Sequence, residues 1–496
     1  MQRRTRHIAS SAALAALLAL PAPAQELRSF YPDEDVPHEG TWLQWPHRYT
    51  YGLPYQQQLD PTWTAMTAAL VQSENVHIIA YDGAEVTRIQ SLLTGAGVSL
   101  DRVDFLIRAT DDTWVRDNGP IFVYGPGGDL RIVDWGFNGW GLDAPFALDD
   151  TVPTFVAGAL GVPAIDASEV VLEGGAIEVD GSGTLLATRS SILDPKRNPG
   201  LSQADVEEAM TRHLGVVNFV WLDGTFGGWW DITDTHIDGV ARFSGQTIVT
   251  MDPPDLVYYG LTPGDVGTLY GATNAVGEPF SYLPLPLTAG NVVTTYGLNL
   301  GSKGSYVNYY AGNSVVLMPT YADPNDSVAL ALLQQQYPDR TVVGIDCRNL
   351  YRYGGMVHCV TQQQPVVPGG VGTVVGQGCP SPPLEVETYV PPTVGKTLVL
   401  GIHGLPAGTS AALLLGGTAV DVPLDAFGLT GCSLYTTAAV TAAAPFAGVD
   451  GYALVPLADD AGLVGASFRV QIGAVAPGAT PAGLVTSNGL TLTVAP

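Results

Sequence analysis

Along residues 25 to about 366, short apolar runs alternate with amphipathic stretches. Val76 to Tyr81, Val103 to Ala109, Leu130 to Phe137, Gln246 to Met251, Ser314 to Tyr321 and Thr341 to Cys347 read as strands. Gly83 to Leu93 sets Val86, Ile89, Leu92 and Leu93 on one helical stripe, with Gly95 as its terminator. Ser202 to Leu214 opens on a capping serine and spaces Val206, Met210 and Leu214 four apart. Asp326 to Tyr337 reads the same way, and Asp180-Gly181-Ser182-Gly183 has the composition of a hairpin turn. The strand–helix–strand unit recurs without an exact sequence repeat, so this part of the chain reads as α/β.

The pattern changes near residue 366. Pro365, Pro368, Gly369, Gly370, Gly372 and Gly376 mark a linker over 367–376. From 377 to 496 helical periodicity vanishes. Thr397 to Ile402, Tyr452 to Leu457 and Ser467 to Ile472 are separated by Gly, Pro, Asp and Thr, the pattern of a small all-β sandwich. That stretch holds two Lys/Arg and seven Asp/Glu and no catalytic constellation.

Composition narrows the function classes. With 46% hydrophobic residues the chain can bury a core, and a net charge of −26 excludes a basic nucleic-acid footprint. Such acidity attracts cationic ligands weakly and keeps an exported protein soluble. Arg3, Arg4 and Arg6, the apolar run Ala12 to Leu20 and the site Ala22-Pro23-Ala24 read as an export signal over 1–24. The mature chain is therefore expected from Gln25, outside the cytoplasm: secreted, periplasmic or at the cell surface. The apolar run is shorter than the roughly 20 residues a spanning helix needs, and no later segment approaches that length. Among the cysteines, Cys347 reads as a small buried residue. Pairing of Cys379 with Cys432 would leave Cys359 free.

Four polar segments stand where strands end. Asp112-Thr113-Trp114-Val115-Arg116-Asp117-Asn118-Gly119-Pro120 reads either as a structural turn with an Arg–Asp pair or as a site. Glu173-Gly174-Gly175 puts a carboxylate before two glycines that allow close backbone approach. In Asp231 to Asp238, extended geometry would project His236 and Asp238 to one face, as an acid–base pair, a metal site or a satisfied structural pair. The metal reading is the weaker one, because no second histidine pair with zinc-like spacing accompanies it. In Gly354 to Pro365, Cys359 follows Gly354-Gly355 and His358 and precedes a polar run. That placement suits a nucleophilic thiol at a strand end, or an inert buried one.

Taken in order, these segments resemble the agmatine deiminase and bacterial-type peptidylarginine deiminase family. The matching runs are Pro37 to Pro46, Trp-x-Arg-Asp-x-Gly-Pro, Glu-Gly-Gly, Lys196-Arg197-Asn198-Pro199, Thr-His-Ile-Asp with Ala241-Arg242-Phe243, Ser305-Tyr306-Val307-Asn308, and His-Cys-Val-Thr-Gln-Gln-Gln-Pro. The resemblance implies the pentein fold, a closed fan of five α/β units around a narrow site, here followed by the β-sandwich. It implies Cys359 as nucleophile, His236 as acid and base, and Asp117 and Asp238 as the grip on a guanidinium. Glu173 would orient His236, and Asn308 would line the pocket. It requires no metal, nucleotide or other cofactor. Penteins often assemble, so a homo-oligomer is compatible. Two departures are Thr235, where glycine is common, and Met356-Val357 before His358.

Two guanidines compete as substrate. An amine-ended one such as agmatine would need carboxylates or aromatic walls at the mouth, for which Asp112 and Trp114, Trp135 and Trp140 are available, the tryptophans reading equally as core. Peptidylarginine, ending in a carboxylate, would need cations. The secreted peptidylarginine deiminases carry a pair of arginines in the loop after their Trp-x-Arg-Asp-x-Gly-Pro run. The loop Phe137-Asn138-Gly139-Trp140-Gly141-Leu142-Asp143 has none and resembles agmatine deiminases. The export signal stands against a cytoplasmic enzyme of polyamine synthesis and suits either scavenging of external agmatine or modification of peptides. The remaining reading is an inactive pentein scaffold that binds at the surface, against which the complete residue set argues.

Overall fold

Five small sheets succeed one another along residues 38–365, and the second to fifth repeat one wiring scheme. The computed structural model describes residues 29–495, apart from 126–127, 226–230, 368–371, 380–382, 405–410, 438–439, 445–450 and 459. The segment expected to direct export, 1–24, and part of the linker lie outside the described residues. The first sheet has three parallel strands, β1 (His38–Gln44), β2 (Asn75–Ala80) and β3 (Val103–Ile107). The second is β4 (Ile121–Tyr124), β5 (Leu130–Gly136) and β6 (Ala164–Val171); the third is β7 (Ile177–Val179), β8 (Thr184–Thr188) and β9 (Asn218–Leu222). The fourth is β10 (Arg242–Ser244), β11 (Thr247–Met251) and β12 (Ser281–Leu285); the fifth is β13 (Tyr310–Ala311), β14 (Val315–Thr320) and β15 (Thr341–Asp346). In sheets two to five the first pair is antiparallel and the second parallel.

The parallel step needs a crossover, and each crossover carries a helix. Helices α1 (Leu53–Leu70) and α2 (Gly83–Gly95) serve the first sheet. Helices α3 (Val152–Leu160), α4 (Gln203–Leu214), α5 (Pro263–Tyr270) and α6 (Asp326–Gln336) serve the others. Local sequence sets their ends. Ser202 and Asp205 form a reciprocal capping box at the start of α4, and Gly215 closes it in the left-handed region at φ 70. On α2, Ile89 and Leu93 are fully buried, as the apolar stripe predicts. Asp180 to Gly183 turns between the antiparallel strands β7 and β8.

A final strand, β16 (Gln362–Pro365), returns to the first sheet and pairs antiparallel with β1, Thr41 facing Gln363. This pairing sets Cys359 beside the amino-terminal segment, a proximity no local pattern encodes.

Residues 373–375, expected in the linker, instead form the first strand of the carboxy-terminal part, in which the paired strands are antiparallel among the described residues. β17 (Thr373–Val375), β18 (Glu385–Val390), β19 (Thr397–His403), β20 (Ala411–Gly416), β21 (Ala419–Pro423), β22 (Ser433–Thr436), β23 (Val440–Ala444), β24 (Gly451–Pro456), β25 (Ser467–Val475) and β26 (Leu484–Thr493) follow in order. They form a five-stranded sheet ordered β17-β26-β25-β20-β23, a three-stranded sheet β18-β19-β24 and the hairpin β21-β22. One buried cluster, including Leu398, Leu400, Ile402, Val470, Ile472 and Leu490, belongs wholly to this part. It also contains the disulfide Cys379–Cys432. Val399, pointing the other way as strand alternation requires, is buried with Phe30, Trp42, Ile79 and Phe122.

Candidate active site

Loops at the strand ends carry the polar residues inward. Asp117 sits on the short helix Val115–Asn118, between Trp114 and Gly119. That turn packs so tightly against its surroundings that a side chain on Gly119 would strike Val115 O at 2.0 Å, and one on Gly174 would strike Arg116 O at 2.1 Å. Glu173 ends the β6 approach, fully buried, and Arg197 grips it with Nε at 2.8 and 2.9 Å from its two oxygens. Arg197 Nη1 also donates to Asp234 Oδ2 at 2.7 Å, tying the Glu173 turn to the histidine segment. The neighbouring Asn198 amide clamps Val171 from both sides, its Oδ1 accepting from Val171 N and its Nδ2 donating to Val171 O.

The histidine segment corrects one expectation. His236 and Asp238 do not lie on an extended strand; Ile237–Gly239 is a 3-10 turn entered through Asp234 and Thr235 at φ 56 and 70. Both residues occupy the left-handed region that favours glycine, which gives the local reason glycine suits position 235. The conformation is held from outside. Ser190 Oγ donates to Asp234 O at 2.6 Å, Thr188 Oγ1 donates to Thr235 O at 2.8 Å, and Thr235 N donates to Asp231 Oδ2 at 2.9 Å. The turn still brings the two side chains together.

Their meeting point is Gly175. A Cβ there would lie 2.7 Å from Asp117 Oδ1, 2.7 Å from His236 Nδ1 and 3.0 Å from Asp238 Oδ2. Three polar atoms from two segments thus converge beside a third, on one spot that only a glycine leaves open. His236 Nε2 lies 3.0 Å from Glu173 Oε2, and its Nδ1, 3.5 Å from Asp117 Oδ1, makes no hydrogen bond. Asp117 Oδ2 accepts from Trp140 Nε1 at 2.9 Å. Trp140 reaches it because Gly139, Trp140 and Gly141 are all left-handed, with Asn138 Oδ1 capping Gly141 N.

Cys359 begins the approach to β16 on the turn His358–Val360 and is partly exposed. Its sulfur lies 3.9 Å from Asp238 Oδ2 and 3.5 Å from Asn308 Oδ1. Asn308 also accepts from His358 N at 3.0 Å, while its Nδ2 has no partner. His358 Nδ1 lies 2.7 Å from Asp238 Oδ2.

The charges respond to burial and to one another. Burial, with Asp238 and Glu173, pushes Asp117 up to about 6 against the pull of His236. Burial disfavours the His236 cation, but Asp117, Glu173 and Asp238 outweigh it and raise the imidazole to about 9. Burial, then Asp238 and Asp117, push the Cys359 thiol well above its ordinary range. Asp238 stays below the ordinary carboxylate range because His358 outweighs its burial. The arrangement can bind a cation between carboxylates, keep a protonated acid beside it and present a sulfur to its carbon.

Two further expected residues lie behind this cluster. Asp112 is buried with both oxygens engaged, by Tyr55 Oη at 2.6 Å and Trp114 Nε1 at 3.0 Å. The Trp114 ring lies over Gly355, where a Cβ would come within 2.2 Å of it. Cys347 is fully buried. Sequence reasoning missed Glu34, which contacts His358, Arg116 and Arg242. Within Asp33-Glu34-Asp35 it reads as part of a solvated acidic run.

A model of the Porphyromonas-type peptidyl-arginine deiminase family matches residues 30–365. The chain is similar to the agmatine deiminase of Pseudomonas aeruginosa (strain LESB58), 32% identical over 67% of this chain and 95% of that one. It is 31% identical to the agmatine deiminase of Ectopseudomonas mendocina (strain ymp), over 68% and 96%. A solved agmatine deiminase of Enterococcus faecalis superposes with a TM-score of 0.59 at 28% identity, covering 68% of this chain and 96% of the other.

Proposed function

This chain belongs to the Porphyromonas-type peptidyl-arginine deiminase family, and from that premise we propose a hydrolytic deiminase that converts a guanidinium to a ureido group and releases ammonia. The convergence of Asp117, His236 and Asp238 on the Gly175 backbone, with Cys359 beside Asp238, is the observation that carries it.

The two carboxylates hold a planar cation by charge-assisted hydrogen bonds and set its carbon over the sulfur. The unliganded site keeps Cys359 as a thiol; the arriving positive charge favours the thiolate, and the thiol proton leaves to solvent. Thiolate attack forms the S–C bond; His236, cationic at neutral pH, gives its proton to the departing nitrogen as the C–N bond breaks. Ammonia leaves and a cationic thiouronium remains. His236, now neutral and steadied by Glu173, takes a proton from water. The hydroxide adds to the carbon, and as the S–C bond breaks the adduct's hydroxyl proton passes to the departing sulfur, giving the urea and regenerating the Cys359 thiol.

Agmatine, going to N-carbamoylputrescine, is the substrate this site supports best. The loop Phe137 to Asp143 brings no arginine, and the cations near Gly141 are engaged: Lys196 with Asp143 at 3.1 Å, Arg197 with Glu173 and Asp234. Peptidylarginine is the second reading, supported by the charged-then-apolar amino terminus that we read as an export signal. We also infer that the five sheets close into a fan, since one wiring scheme recurs and β16 completes the first sheet. Residues 377–496 would then be an appended β-sandwich.

The test is ammonia and ureido-product release from agmatine, free arginine and a peptide ending in arginine. Agmatine turnover is expected, falling roughly a thousandfold or more in Cys359→Ala. Turnover of the peptide alone would overturn the substrate reading, and silence on all three the deiminase reading.

A further inference from the structure

The side chains of the site come from several segments, and one carboxylate outside the chemistry touches those that carry Asp117, Asp238, Asn308 and Cys359. Glu34 Oε2 accepts from Arg116 Nη2 at 3.1 Å and lies 2.9 Å from His358 Nε2. Its Oε1 lies 2.9 Å from Arg242 Nη2 and accepts from Ala311 N at 2.8 Å. Arg116 precedes Asp117 and His358 precedes Cys359; Arg242 follows Asp238 on the same turn-to-strand passage, and Ala311 follows Asn308 into β13. Arg116 Nε also donates to His358 O, so the turns carrying Asp117 and Cys359 are joined directly.

His358 transmits this grip. Its ring is held at both nitrogens, by Glu34 at 2.9 Å and Asp238 at 2.7 Å, which fixes the ring plane. Its backbone N–H holds Asn308 Oδ1. The Glu34 side chain is 8% exposed. Burial opposes its charge, but Arg242, His358 and Arg116 hold it well below the ordinary carboxylate range, so it stays a fixed anion.

The segment carrying Glu34 is itself anchored on both sides. Arg340 donates to Asp35 Oδ1 at 3.0 Å. From beyond the linker, Lys396 is ion-paired with Asp33, which is 5% exposed, and Val399 is buried with Phe30. We propose that Glu34 is a positioning residue for guanidine deimination, locking His358 and through it Asp238 and Asn308 beside Cys359, and that Lys396 holds the Glu34 segment in register. The proposal rests on the deiminase reading above.

The test compares Glu34→Gln and Lys396→Met with the wild type by KM for agmatine and by alkylation of Cys359, followed by peptide mapping. Two reagents are used, cationic 2-chloroacetamidine and neutral 2-chloroacetamide. Their rate ratio reports guanidinium-like recognition without turnover. Glu34→Gln is expected to raise KM and lower that ratio about tenfold, with the neutral reagent's rate nearly unchanged. Lys396→Met should move both in the same direction by about threefold. Folded variants of lower Tm but wild-type KM and ratio would make the network merely structural and overturn the proposal. Should Glu34→Gln fail to fold, Lys396→Met decides alone: a shifted ratio supports the proposal and an unchanged one overturns it. A wild-type protein with neither turnover nor amidine preference would overturn the deiminase reading first, and this role with it.

Discussion

The proton affinities of the neighbours His236 and Asp117 are both raised, yet each must carry its charge: Asp117 ionised to bind a cation, His236 protonated to donate. With Asp117 at about 6 and His236 at about 9, kcat/KM should rise as Asp117 ionises through the lower value and fall as His236 deprotonates through the upper one. Glu173 is one of the carboxylates that raise His236, so Glu173→Gln should pull the upper limb down by about one pH unit. A pH–rate profile of both proteins checks this. An unmoved upper limb in the variant would mean that another group sets it. The same shift has a stability sign. Because the folded value lies above the ordinary 6.5, the contribution of His236 is fully present below that value and lost as pH rises through about 9.

Among the connecting elements, the turn after β6 does the closest work. Gly174 and Gly175 lie in a short 3-10 turn whose backbone touches Arg116 on one side and the convergent polar atoms on the other. No unusual φ is needed at position 175, so Gly175→Ala acts through its methyl group alone. The methyl would displace Asp117 or His236, which lie 2.7 Å from where it must sit. The expected outcome is a loss of about a hundredfold in kcat/KM with only a small fall in Tm. Paired kinetic and thermal measurements on the variant decide it. A variant with wild-type kinetics would show that the site tolerates expansion and that convergence there is incidental. Helices α2, α4 and α6 and strands β2, β3, β5, β11, β14 and β15 were legible from sequence, whereas α1, with Pro61 inside it, α3 and α5 were not. The stripe on α2 and the Ser202 cap on α4 are short-range patterns, and short-range patterns survive folding. The His236–Asp238 turn was not legible, since its left-handed residues are imposed by Ser190, Thr188 and Arg197, all distant in sequence.

At the scale of the whole molecule, two parts share one interface but keep separate buried cores. The disulfide Cys379–Cys432 spans 53 residues within the carboxy-terminal part, which by loop-closure entropy is worth up to about 4 kcal/mol there. The double variant Cys379→Ser, Cys432→Ser should therefore unfold at lower temperature while Cys359 reactivity persists in the folded state. Calorimetry with thiol titration checks this, and an unchanged transition would mean the bond constrains nothing. By itself the sequence determined the α/β-then-β order of the chain and the identities of Cys359, His236, Asp117, Asp238 and Glu173 as candidates. The order follows from periodicity and composition, and the candidates from the ordered runs that resemble the deiminase family; both can be read along the chain without its fold. Only the tertiary structure decided that β16 pairs with β1, that Gly175 is where three side chains meet, and that Glu34 binds the segments together. An acidic residue in an acidic run looks solvated until folding surrounds it with Arg116, Arg242 and His358, because pairing across the molecule depends on distance in space and not along the chain.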